Sequence, residues 1–264
     1  MTADRSAVAS CLFLLAVLII SLVIPLAAQR DPLQVRLDAR LAAPSSLHWF
    51  GTDDLGRDVL SRSLHGFATT VMVSVGALLS AMMIGVVVGA MAGYRYGSPL
   101  DRTFQWMANL VVSLPFLLVM ASILSFTRPT VYKAYLVLAC LMWVNPARLV
   151  RAEVIRTTNL EYVAAARALG SPEGRILFRT VLPACVATAV SVSLGYLPEI
   201  VGLEAGLSFL GLGVQPPEPG LGKMIFDGLS FIHSAWWMSV FPAALLFGLV
   251  LALNVFRAWI RRNA

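Results

Sequence analysis

The sequence predicts an all-α polytopic membrane protein with six transmembrane helices. Of its 264 residues, 58% are hydrophobic and 13% are charged, whereas soluble domains carry about 25% charged residues. Several long stretches contain no charged residue, and the clearest of them covers residues 67–94. Backbone groups in lipid must be satisfied without water, which an open sheet edge cannot achieve, so we expect every span to be a helix.

Six apolar stretches are predicted to cross the membrane. They cover residues 11–28, 67–94, 103–127, 131–150, 180–198 and 228–256. The first is longer than the apolar core of roughly 7–15 residues in a signal peptide, so it is interpreted as a membrane helix that also acts as a signal anchor. The fourth is the weakest, because its uncharged core has 14 residues and a crossing needs roughly 20. Lys133 and Arg148 must extend their charged ends toward water to lengthen it.

Two patterns predict how these helices pack and bend. Gly85, Gly89 and Gly93 place a small residue at every fourth position, which lets membrane helices approach backbone to backbone. Pro115 lies within the third span and lacks the N–H that a continuous helix needs. The second span is therefore expected to make a close helix contact, and the third is expected to bend.

The distribution of basic residues predicts the orientation of the chain. Six crossings place both termini on one side, and Lys and Arg accumulate on the cytoplasmic side of membrane proteins. With the termini inside, the inner segments hold 12 Lys and Arg and the outer segments hold 8. We therefore expect both termini to lie in the cytoplasm.

Residues 158–183, here called the central segment, form a long charged stretch of strong helix formers between two apolar spans. Thr158 followed by Glu161 predicts a capping box at a helix start. Gly170 stands where a left-handed residue would end that helix. Residues 171–173 (SPE) predict a second start with a serine N-cap and a proline at the first helical position. We expect two short helices joined by a glycine turn, the first with a bare alanine face.

Three functions are compatible with such a segment. Two short helices joined by a turn resemble a helix-turn-helix DNA reader, but roughly 30 residues between membrane spans would then have to fold alone. An amphipathic loop lying on the inner membrane face is the plain structural alternative. The third interpretation, a docking element for a cytoplasmic partner, is the one we favour.

The central segment resembles the cytoplasmic EAA-type loop found in membrane subunits of binding-protein-dependent ABC importers. The residues that carry the resemblance are EYVAAARALG at 161–170, RILFR at 175–179 and LP at 182–183. Further blocks resemble the oligopeptide, dipeptide and nickel subgroup, namely residues 51–66 (beginning GTDDLGRD), 143–151 (WVNPARLVR) and 204–217 (EAGLSFLGLGVQPP). The similarity covers residues 48–250 in the same order, and it implies a type I ABC importer permease fold.

This resemblance implies that the central segment docks in a cleft of a separate ATPase subunit. Glu161 and Arg167 would make polar contacts at the rim of that cleft, and the alanine face would be seated in it. The residues expected in the docking loop are Glu161, Ala164, Ala165, Arg167, Leu169, Gly170, Ile176 and Pro183. ATP-driven closure of two ATPase subunits would move the helix as a lever and switch the spans between outward-facing and inward-facing states.

Two outer blocks are candidates for a second functional surface. The first outer block, residues 51–58, is either a capped turn alone or part of a vestibule where a solute-binding protein docks. Residues 204–217, the second outer block, belong to the same proposed vestibule. The vestibule candidates are Gly51, Thr52, Asp53, Gly56, Arg57, Asp58, Glu204, Ser208, Gly211 and Gly213. Glu199 lies close to a span and is a candidate for the solute path, although Pro198 before it indicates a helix end.

The sequence argues against ATP hydrolysis, metal binding or other catalysis by this chain. It contains no Gly-x4-Gly-Lys-Ser/Thr phosphate loop, so we expect ATP hydrolysis, with ATP and Mg, on the partner subunits and no cofactor or enzymatic activity here. His48, His65 and His233 share no ligand spacing, which favours structural or solvated histidines over a metal site. A membrane enzyme would need a convergent acid, base or metal cluster, and the sequence shows none.

The expected function is therefore the translocation of a small polar solute, either a peptide, nickel or a metal chelate, delivered by a binding protein. Expected partners are ABC ATPase subunits, a second related permease subunit in a heterodimer and a periplasmic or lipid-anchored solute-binding protein, all at the bacterial inner membrane and without nucleic acid. The alternative is a secondary transporter driven by an ion gradient, which should show inverted repeats and charged residues at mid-membrane.

The resemblance also suggests a division of the chain into two parts. Residues 1–66 would form an N-terminal membrane helix and a periplasmic segment, and residues 67–264 would form the permease domain. Within that domain, residues 151–183 are the expected cytoplasmic loop and residues 204–227 the expected periplasmic segment.

Overall fold

The computed structural model describes residues 2–28, 30–126 and 131–263, and this part of the chain is built from helices. The α-helices are α1 (Thr2–Val23), α2 (Val59–Tyr94), α3 (Pro99–Ser113), α4 (Phe116–Ser125), α5 (Val131–Met142), α6 (Val144–Thr158), α7 (Glu161–Ala168), α8 (Glu173–Arg175), α9 (Leu182–Ser193), α10 (Leu197–Phe209), α11 (Leu221–Leu229) and α12 (Trp237–Asn263). A π-helix covers Ile176–Val181, and 3-10 turns cover Ile24–Ala27, Leu37–Ala39 and Leu194–Tyr196. Within the described ranges, extended pairing is limited to a bridge between Thr52 and Asp58, so the all-α prediction is confirmed.

Three helices in the described ranges are long and apolar enough to cross a membrane: Val59–Tyr94, Glu173–Phe209 and Trp237–Trp259. The pair α3 and α4 would supply a fourth crossing if it is one broken span. The first predicted span contains a shorter apolar helix, Cys11–Leu26. The fourth is divided at Trp143 between α5 and α6. Three or four crossings are therefore supported, and the count of six stays a prediction.

Several span boundaries differ from the prediction. α2 begins at Val59, eight residues before the predicted start at residue 67, because the Asp58 carboxylate caps the helix by accepting from the Ser61 N–H at 2.8 Å. The long helix that contains α9 and α10 continues to Phe209, so residues 204–209 of the expected periplasmic segment are helical and continuous with that helix. At the other end of the chain, α12 begins at Trp237 and not at residue 228.

Pro115 breaks the third predicted span as expected. α3 ends at Ser113, α4 begins at Phe116, and their axes differ by 84°. Pro115 has an extended backbone (φ −67°, ψ 103°) and cannot donate a backbone hydrogen bond, so the helix cannot continue through it. The predicted kink is confirmed, and it is a sharp corner.

The glycine stripe of α2 is covered by α6. A β-carbon at Gly85 would lie 2.7 Å from the Pro146 Cβ, and one at Gly93 would lie 2.7 Å from the Arg151 carbonyl oxygen. At Gly89 an added β-carbon would overlap the Ala147 carbonyl. Contacts of this kind exclude any side chain, so the predicted backbone-to-backbone packing is confirmed and its partner is α6.

The described residues form four apolar clusters, and two of them position the central segment and the long helices. The larger one gathers α2, α4, α5, α10 and α12, and its most buried large side chains include Leu78, Met120, Leu138, Ile200 and Leu207. The second lies at the C-terminal end of α2, where the central segment packs. It contains Ala90, Val150, Val154, Val163, Ile176, Val181, Cys185 and Ala189. Through the second cluster, the central segment is packed onto α6 and α9.

Replacing Gly89 with alanine should destabilise the protein, because the new methyl group would press against the α6 backbone. Overpacking of this kind costs about 1–3 kcal/mol, and we expect that loss in the free energy of unfolding of the purified chain in detergent. Gly202→Ala in α10 is the matched control: its β-carbon would meet nothing within 4 Å, so alanine should leave stability unchanged or raise it by up to about 1 kcal/mol. Equal effects of the two substitutions would contradict the packing argument.

Candidate functional site

In the central segment, most residues of α7 are exposed, and a few buried residues attach the segment to the rest of the protein. Val163 is fully buried in α7, whereas the other predicted docking residues of this helix and its turn are exposed; they are Glu161, Ala164, Ala165, Arg167, Leu169 and Gly170. Ile176 is 1% exposed and anchors the following π-helix, and Pro183 is exposed. The segment therefore combines a solvent-accessible alanine face with a fixed attachment to the protein.

Thr158 does not cap this helix, so the predicted capping box is wrong. α6 extends through Thr158, and its hydroxyl donates back to the carbonyls of Val154 and Ile155 at 2.9 and 3.0 Å. The N-cap of α7 is Leu160, without a side-chain cap. The Thr158 hydroxyl bonds to carbonyls of its own helix instead of capping the next one, because α6 continues to Thr158, eight residues beyond the predicted end of the span at residue 150.

Gly170 ends α7 in the left-handed conformation, with φ of 76°. The Ser171 N–H donates to the Ala166 carbonyl at 3.1 Å, and the Gly170 N–H donates to the Arg167 carbonyl at 2.9 Å. These two bonds form a Schellman motif, which confirms the predicted helix stop. The second start differs from the prediction by one residue, since Pro172 and not Ser171 is the N-cap, again without a side-chain bond.

A hydrogen-bonded group fixes the turn to the end of α2. The Arg167 Nε donates to Glu173 Oε1 at 3.1 Å, and the Tyr94 hydroxyl donates to Glu173 Oε2. These neighbours, Tyr94 first and then Glu173, raise the pKa of Arg167 above its ordinary value. Arg167, which was predicted to contact an ATPase, is thus already bound within its own chain, although its side chain remains 44% exposed.

A π-helix joins the central segment to the long span. In this turn the Leu182 N–H donates to the Leu177 carbonyl, five residues earlier. Pro183 follows at once and has no N–H with which to continue an α-helical register. Single π turns of this kind are frequent at functional sites.

The first outer block is an internally bonded turn. Asp53 Oδ1 accepts from the backbone N–H groups of Leu55 and Arg57, each at 2.9 Å, and Asp53 Oδ2 accepts from the Arg57 Nε at 2.6 Å. The Thr52 carbonyl accepts from the Trp237 indole at 3.1 Å. Gly51 and Gly56 have φ of 70° and 72°. This geometry is the capped turn, and a docking role for the block stays a prediction.

Two of the three histidines lie within hydrogen-bond distance of other groups in the protein. His48 Nδ1 lies 2.8 Å from Asp58 Oδ1 in a buried pair, and His65 Nδ1 lies 2.8 Å from the Ser61 carbonyl oxygen. His233 is exposed. Across the residues that the structure describes, no three potential ligand side chains form a group able to hold a metal ion.

The second outer block folds back onto α10 through Ser208. The Ser208 hydroxyl donates to Glu204 Oε1 at 2.8 Å and accepts from the Val214 N–H at 3.2 Å. A β-carbon at Gly213 would overlap Ser208, and Gly211 has φ of 76°. Glu204 is 1% exposed, so Glu204 and Ser208 shape the block from within, and their place in a vestibule stays a prediction.

Glu204 was named from the sequence as a vestibule candidate, but its burial was not predicted. Glu199, the acid predicted for the solute path, is exposed in the first turn of α10. The signal that could have indicated the burial of Glu204 is its spacing from Ser208, because residues four apart share a helix face. A role of Glu199 in the solute path stays a prediction.

Comparisons with known proteins agree with this architecture. Residues 85–264 match the family described as "Binding-protein-dependent transport system inner membrane component". The chain belongs to this family. It is 33% identical over 253 residues to the dipeptide transport system permease protein of Alkalihalophilus pseudofirmus, covering 96% of this chain and 83% of the relative. The oligopeptide transport system permease protein of Bacillus subtilis is 29% identical over 252 residues, covering 96% and 82%.

The fold of this inner membrane component is also found in a solved transporter. A chain of the MetNI methionine ABC transporter in an inward-facing conformation superposes with a TM-score of 0.59 at 21% identity, covering 75% of this chain and 94% of that chain. The type I importer permease fold is therefore confirmed. As a family member, this chain is a membrane-embedded permease subunit of an ABC importer.

Replacing Ser208 with alanine should loosen the second outer block of the permease. The substitution removes the donor to Glu204 and the acceptor for the Val214 N–H, and leaving a buried polar group unpaired costs about 1–3 kcal/mol. We expect faster hydrogen exchange at the Val214 amide. Ser230→Ala, at an exposed position, should leave that exchange rate unchanged. Unchanged protection of the Val214 amide in the Ser208 variant would show that the two hydrogen bonds of Ser208 do not hold the block.

Proposed function

We propose that this permease moves dipeptides or oligopeptides into the cytoplasm as one half of a translocation pore powered by separate ATPase subunits. The observation that carries the proposal is the 33% identity, over 96% of the chain, to a permease named for dipeptide transport. The relatives reported above give no support to nickel or a metal chelate as cargo. Nothing in them favours a secondary transporter either.

The exposed alanine face of α7 supports the central segment as the ATPase-docking element. Ala164 and Ala165 offer little side-chain volume, so the surface of a partner can approach the helix backbone closely. Glu161 is exposed at the start of the helix and is available to a polar partner at the rim of a cleft. The buried Val163 gives such a partner a helix that is fixed to α6.

Nucleotide-driven movement would enter the membrane domain through this attachment. α6 and α7 are separated by Asn159 and Leu160 alone, and the valines of both helices share one buried cluster. A displacement of α7 is therefore passed to α6, and the close contact of α6 with α2 passes it to a long span. Two alternative packings of these spans, biased by nucleotide, would open the pore to opposite sides.

The proposed assembly contains a second, related permease subunit and a solute-binding protein. One permease chain would supply half of the pore, and the two outer blocks would lie on the side from which the peptide is delivered. The excess of Lys and Arg in the inner segments supports an orientation with both termini and the central segment in the cytoplasm.

A bulky residue on the alanine face should block docking of the ATPase. In the complete importer reconstituted in proteoliposomes, we expect Ala164→Trp to lower ATP-dependent uptake of a labelled dipeptide at least about tenfold, with membrane insertion retained. Ala152→Trp is the control, since Ala152 is exposed on α6 outside the docking face. Uptake at the wild-type rate by the Ala164 variant would exclude α7 as the docking element.

The orientation can be tested by labelling a cysteine at Leu169, which is 86% exposed. We expect Leu169→Cys in intact cells to react with a membrane-impermeant maleimide only after the inner membrane is permeabilised, because the central segment faces the cytoplasm. The exposed Cys11 and Cys140 are first changed to serine, and an added cysteine at the exposed Glu218, within the expected periplasmic segment 204–227, provides the outside control. Labelling of residue 169 from outside would reverse the proposed topology.

A further inference from the structure

Helix α3 is attached to the rest of the protein by few buried side chains. α3 has 15 residues and buries three of them, Asp101, Phe104 and Ala108. Phe104 and Ala108 join an apolar cluster with residues of α2 and α6. At the exposed surface, the Arg148 Nη2 of α6 also donates to Asn109 Oδ1 of α3 at 2.8 Å. Asp101 is the buried polar anchor, and a carboxylate at 1% exposure requires a charged or hydrogen-bonding partner.

Arg151 of α6 is that partner. Its Nε donates to Asp101 Oδ1 at 2.5 Å, and its Nη2 donates to Asp101 Oδ2 at 2.9 Å. Asp101 Oδ2 also accepts from the Gly97 N–H at 3.1 Å, and the guanidinium lies 5.5 Å from the centre of the Tyr96 ring. The hydrogen bonds with Asp101 raise the pKa of Arg151. Two parallel bonds fix orientation as well as distance, so α3 cannot rotate against α6 without breaking them.

Arg151 lies on the helix that carries the docking element. It is three residues before Val154, which is buried together with Val163 of α7. α6 is also pressed against the glycine stripe of α2 at Gly93, where the Arg151 carbonyl makes the close approach. The backbone of Arg151 therefore contacts one span, and its side chain holds another.

The far end of α3 is a corner where bending is possible. The 84° break separates α3 from α4, and Pro115 leaves the two helices without a continuous hydrogen-bond ladder. α4 in turn packs with Met120 and Leu124 in the main core. A shift of α3 against that core is accommodated at the break, so α3 can follow α6 while α4 keeps its packing.

We infer that the Asp101–Arg151 pair is a positioning element for transport, which passes the displacement of the docking helix α7 to the broken span formed by α3 and α4. This inference rests on the proposed function and goes beyond it by naming the link. If the link is cut, the ATPase subunits still dock on α7 and hydrolyse ATP, but only the apolar contacts and the exposed Arg148–Asn109 hydrogen bond still join α3 to α6, and they do not fix its orientation. Loss of coupling, and not loss of docking, is the expected defect.

A pair of matched substitutions separates this role from a purely structural one. Asp101→Asn removes the charge that Arg151 binds, and Arg151→Lys keeps the positive charge but loses the two-pronged geometry. Glu153→Gln is the control, because Glu153 pairs with Arg156 on the same helix, where the arginine is 64% exposed and such pairs contribute little.

The measurement is the number of labelled dipeptides taken up per ATP hydrolysed by the complete importer in proteoliposomes with its binding protein. We expect this ratio to fall at least about tenfold in Asp101→Asn while the ATPase rate stays within about twofold of wild type. Arg151→Lys should lie between this variant and wild type, and Glu153→Gln should match wild type.

Each outcome decides the question. An unchanged ratio in Asp101→Asn, a parallel fall of uptake and ATPase rate, or an equal fall in Glu153→Gln would overturn the inference. If Asp101→Asn does not assemble, Arg151→Lys is judged by the same ratio. Absence of dipeptide uptake by the wild-type importer would instead refute the proposed function itself.

Discussion

The structure depends on the absence of side chains along one face of α2. Gly85, Gly89 and Gly93 let the α6 backbone lie directly against this long span. Lipid gives no hydrophobic force between helices, so the contact must be held by van der Waals packing over a matched surface. Because α6 continues into the central segment, this contact also determines where the docking helix stands relative to the membrane spans.

The sequence allowed prediction of features that depend on local chemistry. The helical class, the close packing of the glycine stripe, the bend at Pro115 and the left-handed stop at Gly170 each follow from one residue type or spacing. Charge and helix-forming residues located the central segment, and the family resemblance then indicated its docking role. The helix start at Thr158 was mispredicted, because a hydroxyl near a helix boundary can bond forward as a cap or back into its own helix, and tertiary packing decides which.

Features that depend on distant residues were not predictable in this way. Asp101 and Arg151 are 50 residues apart, and nothing in the local pattern of either indicates the other. Glu204 was assigned to an outer surface because it begins a family block, whereas it is buried against α2 and Ser208. The number of crossings also depends on how short apolar helices such as α5 are placed, which composition alone leaves open.

The indole of Trp237 joins the start of α12 to the first outer block, so this contact forms late in synthesis. Its bond to the Thr52 carbonyl joins residues 185 positions apart, and Gly51 lies directly against the same ring. At translation rates of about 5–20 residues per second, the first outer block waits on the order of ten to forty seconds for this partner. Until α12 has been synthesised and inserted, the first outer block lacks its contact with Trp237. In a chain truncated before Trp237, the block would remain uncovered and accessible to quality-control proteases.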